Sequence, residues 1–177
     1  MLKETGLGKI ISEAGYKPVG SYMMHTMTWR DLDFERTEEP PNWKDHWELG
    51  NKFSQLGFIW KYSCVDAYRD RRNPEADFGF YWGLQFDYPK SGPIWKIDLW
   101  TARQSEWVPI LPKRLLWMSK LTDETRHHIL EIKDAVWNLP EYRQTLLSVH
   151  IYEAVLECDI RTLKEFREWW QAKYGKK

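Results

Sequence analysis

Between Phe78 and Tyr88 every second residue is a large apolar one: Phe78, Phe80, Trp82, Leu84, Phe86 and Tyr88. Side chains of a β-strand point alternately to its two faces, so this run predicts a strand with one face against a core. Its other face carries Gly79, Tyr81, Gly83, Gln85 and Asp87. Glycines there leave room for a ligand or another backbone. Such a strand needs neighbours, and the flanking sequence offers them. Residues 58–65 alternate well enough for a strand, and residues 66–76, with Arg69, Arg71, Arg72, Asn73 and Pro74, read as a polar hairpin connection. After a turn over 89–93, a further strand sets Ile94, Lys96, Asp98 and Trp100 on one face.

A second stretch, residues 18–36, gives the sheet a chemical purpose. A short strand reaches Val19, turns on Gly20, and a short helix starts at Ser21. Nine residues without Gly or Pro follow, enough for about two turns of helix at 3.6 residues per turn. The segment Asp31-Leu32-Asp33-Phe34 then reads as a strand with both carboxylates on one face and Leu32 and Phe34 on the other. A Gly lets backbone approach a phosphate, and a helix start offers free N–H groups to an anion. Two carboxylates at this spacing suit a hard divalent cation that bridges phosphates.

The pattern apolar-Gly-Ser, nine residues, Asp-apolar-Asp-apolar resembles the signature of the nucleotidyltransferase superfamily related to DNA polymerase beta. Those enzymes need a third carboxylate on a later strand between apolar residues, and Ile97-Asp98-Leu99 offers it in family order. The resemblance covers these motifs alone. It implies a mixed-sheet α/β (α+β) nucleotidyltransferase core over residues 1–110, followed by a helical segment over 111–177. It also implies Mg²⁺ (or Mn²⁺) on Asp31, Asp33 and Asp98, with an NTP as substrate and its phosphates on Gly20 and Ser21. Asp98 would also help deprotonate the attacking hydroxyl. Local geometry adds Arg30 and Lys96 as candidate phosphate contacts, and Asp87 and Glu35 as weaker candidates for a base. The small core is similar to the minimal and antibiotic-modifying branches, which implies a small-molecule or protein acceptor. The competing expectation is an antitoxin-like interaction module that keeps the fold with weak or lost activity. A solvated acidic strand edge after an ordinary glycine turn is the plainest alternative of all.

Bulk properties narrow the classes. With 26 basic and 26 acidic residues there is no electrostatic case for duplex nucleic acid as a partner. No segment approaches the roughly 18 apolar residues of a membrane span, and no apolar run of signal-peptide kind opens the sequence. Two cysteines far apart, Cys64 and Cys158, predict reduced thiols and a cytoplasmic protein. The twelve Trp are read mainly as core, although some would suit an acceptor pocket. Nothing in the composition fixes an oligomeric state.

Residues 6–14 read as a short helix stopped by Gly15. Asn42 caps a helix to Leu56, closed by Gly57, whose stripe of Trp43, Trp47, Gly50, Phe53 and Leu56 faces a core. Met23, Met24 and Met27 are read as packing, and His25 is given no role. From Pro112 onward the chain reads as helical. Thr122 caps a helix to about Trp137, Pro140 starts another, and Asp159 caps the last. His127 and His128 are adjacent and diverge by about 100 degrees, a poor joint metal ligand.

Overall fold

A computed structural model of the protein describes residues 1–70, 79–107 and 111–175. The chain forms two compact units, one of Met1–Met23 with Arg30–Ile110 and one of Met24–Trp29 with Leu111–Lys177.

The first unit is built on a five-stranded mixed sheet. In chain order it contains α1 (Leu7–Glu13), β1 (Lys17–Val19), α2 (Gly20–Met23), β2 (Asp31–Thr37), α3 (Trp43–Ser54), β3 (Lys61–Asp66), β4 (Phe80–Asp87), β5 (Ile94–Ala102) and α4 (Gln104–Trp107). The strands lie in the order β1-β2-β5-β4-β3. Among the described residues of the sheet, the β2–β5 pair is the parallel one, and it brings two segments far apart in sequence side by side. One face of the sheet is apolar. Leu32, Phe34, Phe80, Trp82, Leu84, Phe86, Ile97 and Leu99 are all buried, as the alternation of β4 requires. Phe78 and most of the hairpin connection lie outside the described residues, and β3 starts at Lys61 rather than at Phe58.

Helix α3 supplies side chains to that apolar face. Asn42 caps it, its side chain accepting from the Lys44 N–H at 3.0 Å, as its sequence predicts. The buried stripe is nevertheless His46, Leu49 and Phe53, while Trp47 is 54% exposed. Gly50 explains the rotation. A Cβ there would come within 2.6 Å of the Trp82 ring, so the Trp82 indole occupies the space a side chain would take. The Trp82 Nε1–H also donates to the His46 carbonyl at 2.8 Å. Burial holds the His46 imidazole down at about 4, so it stays neutral, a packed histidine rather than an acid–base group.

The second unit is helical: α5 (Leu111–Lys120), α6 (Asp123–Val136), α7 (Ser148–Cys158) and α8 (Leu163–Tyr174). Its core is Ile129, Ile132, Val136, Ile151, Val155, Leu156 and Phe166. Thr122 caps α6 through a reciprocal pair with Thr125. The helix expected from Pro140 starts only at Ser148, because Leu139–Leu146 is spent on tight turns closed by a Tyr142–Leu146 bridge. Asp159 ends α7 in the left-handed conformation, and Thr162, with Glu165, caps α8.

Met24–Trp29 belongs to this second unit, and this is where the sequence-based expectation of a two-turn helix after Ser21 fails. Helix α2 is a single turn of four residues. Beyond it the chain opens out, Met24 and Thr26 are buried, and local helix gives way to tertiary packing. Lys133, fully buried, donates from Nζ to the Thr26 carbonyl at 2.7 Å and to the Tyr152 hydroxyl at 3.3 Å. Its ammonium also stands 4.9 Å from the centre of the Trp29 ring, a cation–π contact in a desolvated place. Among the described residues no helix is long and apolar enough to cross a membrane.

Candidate metal centre

The period of two along β2 puts Asp31 and Asp33 on the face opposite Leu32 and Phe34. On β5 the same rule puts Lys96 and Asp98 opposite the buried Ile97 and Leu99. Parallel pairing then sets Asp33 directly against Asp98, and Asp31 against Lys96. All three carboxylates therefore share one face, and one oxygen from each lies within 4.8 Å of the others. The Asp31 and Asp98 side chains retain only 14% and 13% of their accessible surface.

Crowding three acids in a half-buried place has an electrostatic cost. Burial, then the charges of Asp31 and Asp98, push Asp33 up to about 7, with Lys96 opposing them. Lys96 is the neutralising group at hand: its ammonium pairs with Asp98 Oδ2 and stands 3.6 Å from Asp31 Oδ1. From the other side the Tyr81 hydroxyl donates to Asp98 Oδ1 at 2.7 Å. Burial and the Asp98 charge hold this phenol well above its usual range, so it remains a donor.

Tyr81 is the functional candidate that motif reasoning passes over. It reaches Asp98 because Gly83, the Cα partner of Asp98 on β4, has no side chain. A Cβ on Gly83 would lie 2.2 Å from the Tyr81 oxygen. The room left by that glycine is taken by a phenol of the same strand. The ring is further held against Trp100, with centroids 4.8 Å apart. A Tyr two residues before a Gly, on the face of a neighbouring strand that carries an acid, was the available signal.

Gly20 stands at the edge of the same cluster, and Ser21 follows it in α2. Val19 pairs with Asp33 across the β1–β2 ladder, which delivers the turn beside that carboxylate. Gly20 has φ +61°, and a Cβ on it would come within 2.8 Å of Asp33 Oδ2. Glycine is therefore required twice over here, for conformation and for clearance. With α2 reduced to one turn, a summed helix dipole is not on offer there.

The other candidates disperse. Arg30 is exposed, with its guanidinium 5.9 Å from the ring centre of Trp95, a residue with the parity of Ile97 and not of Asp98. Asp87 sits at the far end of β4 opposite Ile94, and its Oδ1 accepts from the Trp60 indole N–H at 3.0 Å. Glu35 shares the parity of Asp33 but pairs with Trp100, one pleat further along.

The donor set fits a hard divalent cation. All three donors are carboxylate oxygens, they converge, and the clearance at Gly20 keeps side-chain bulk away from Asp33. No protein-family model matches this chain, and no curated protein matches it.

Proposed function

We propose that this protein is a metal-dependent nucleotidyltransferase that moves a nucleoside monophosphate from an NTP to a hydroxyl of a small-molecule or protein acceptor. The observation that carries the reading is the in-register placement of Asp33 against Asp98, with Asp31 beside them. The order and spacing of the motifs carry the superfamily resemblance, and the shared face of the three carboxylates supports it.

In this reading Asp31, Asp33 and Asp98 hold Mg²⁺ or Mn²⁺. When bound, the ion offsets charge on the phosphate oxygens and on the departing pyrophosphate. The acceptor oxygen attacks the α-phosphorus, a new P–O bond forms, and the bond to the bridging oxygen of the β-phosphate breaks. Asp98, held at one oxygen by Tyr81, takes the proton of the acceptor hydroxyl. Backbone N–H groups at Gly20 and Ser21 would hold the phosphates, and Gly20 sets no Cβ against Asp33. Lys96 adds a mobile positive charge. Cys64 and Cys158 are free thiols, which suits a cytoplasmic protein.

The test is pyrophosphate release from each of the four NTPs with Mg²⁺ or Mn²⁺ and pooled hydroxyl acceptors. Asp31→Asn and Asp33→Asn should each lower the rate by about a hundredfold or more, since a preorganised charge contact is worth several kcal/mol. Ser21→Ala should do less. A protein that binds no NTP in the presence of either ion would instead be an interaction module on this fold.

A further inference from the structure

Resting on that reading, we propose that Lys96 is the resident cation of the site: it neutralises Asp31 and Asp98 before the divalent ion arrives, yields Asp98 Oδ2 to it, and then pairs with a phosphate of the nucleotide. The site thereby takes ion and polyphosphate as a linked pair.

The geometry around Asp98 leaves little choice. Oδ1 accepts from Tyr81 at 2.7 Å, and the Tyr81 ring is fixed by Gly83 beneath it and Trp100 beside it. Oδ2 is the oxygen that Lys96 occupies. The same ammonium is 3.6 Å from Asp31 Oδ1, so it spans two of the three carboxylates that would ligate an ion. A divalent cation at roughly 2.0–2.1 Å from its oxygens would meet a second positive charge there, and the two repel strongly in a half-buried place. Of the two partners of Asp98, Lys96 has the longer and more flexible reach. Its side chain is 32% exposed and sits on a flexible four-carbon stem. Tyr81 has no such route. Once displaced, the ammonium remains tied by its backbone to the position opposite Asp31, at the rim of the cluster. An anion brought in with the ion gives it a new partner, so each ligand raises the affinity for the other by the same factor.

The test uses the full-length protein and two readouts. In the first, Mn²⁺ is titrated and free ion followed by electron paramagnetic resonance, for wild type, Lys96→Met, Lys61→Met and Asp33→Asn. Lys61 is exposed on β3, pairs with Gln85 on the same face, and controls for loss of one positive charge. Lys96→Met should bind Mn²⁺ about tenfold or more tightly than wild type, whereas Lys61→Met should change it by less than about twofold. In the second, acetylation of Lys96 is followed by peptide mass spectrometry on the wild type, which needs no variant to fold. Saturating Mn²⁺ should speed the labelling several-fold, and added tripolyphosphate should slow it again. Wild type that binds Mn²⁺ through Asp33 while Lys96→Met binds no tighter, or while Lys96 labelling stays unchanged, overturns the exchange and leaves the metal site standing. No Mn²⁺ binding by wild type or Lys96→Met overturns both.

Discussion

Gly83 lies directly beneath the phenol of Tyr81, two residues away on the same strand, so that a Cβ at position 83 would overlap the Tyr81 oxygen at 2.2 Å. Gly83→Ala should therefore push the phenol off Asp98 and cost about 1–3 kcal/mol, the usual range for overpacking. Tyr81→Phe removes the same hydrogen bond without the clash, leaving Asp98 Oδ1 short of a donor. Both variants should lower pyrophosphate release, but urea unfolding should find Gly83→Ala the less stable of the two. Equal stability would mean that the strand absorbs the methyl by bending.

Asp33 makes the stability of the ion-free protein depend on pH. The unfolded chain gives up this proton near 3.8 and the folded chain at about 7. Between those values the folded state binds more protons, so stability falls as pH rises across the window. The full difference corresponds to about 4 kcal/mol, reduced by solvent at a site that is only partly buried. Denaturation midpoints measured from pH 4 to 8 should show the decline in wild type and its loss in Asp33→Asn. Saturating Mn²⁺ should flatten it as well, because a bound cation favours the ionised carboxylate.

Gly20→Ala should impair the site while leaving all three carboxylates in the sequence. The new Cβ meets Asp33 Oδ2 at 2.8 Å, and φ +61° strains any L-residue. We expect a loss of about 1–2 kcal/mol in stability and weaker Mn²⁺ binding, read by calorimetry on the same preparation. Unchanged ion affinity would show that Asp33 has room to swing aside.

In the helical unit, Lys133→Met keeps the length of the side chain but strands the Thr26 carbonyl, which loses a 2.7 Å charge-assisted hydrogen bond. The Tyr152 hydroxyl loses one donor yet keeps Thr26 Oγ1 at 3.0 Å. Thermal unfolding should report a loss of about 1–3 kcal/mol, with Lys133→Ala worse because a cavity is added. A methionine that stabilises the unit would mean that desolvating the ammonium outweighs its contacts.

The sheet and its carboxylates were legible because both depend on a period of two. Phe80, Trp82, Leu84 and Phe86 announce a buried face, and Asp31, Asp33 and Asp98 announce the opposite one. What the sequence hid has two physical causes. Helix propensity after Ser21 is overridden by burial of Met24 and Thr26 and by the Lys133–Thr26 bond, none of which is local. The second cause is that a glycine can hold space for a neighbour rather than for a ligand. Gly50 makes way for Trp82, which turns α3 toward His46 and Leu49, and Gly83 makes way for Tyr81. Arg30, just before β2, is exposed with its guanidinium 5.9 Å from the Trp95 ring centre, a placement that strand periodicity does not reach.

Strand β5 is the last of the five to be synthesised and the middle one in the sheet. Until it emerges from the ribosome, β2 and β4 each present a bare inner edge, and nothing holds them in register. Asp31 and Asp33 are then two carboxylates without their third partner or their lysine. Closing the sheet requires a long-range parallel pairing, a kind of contact that is intrinsically slow to form. A nascent chain that stops short of Ile94 therefore lacks the strand that sets Asp98 against Asp33.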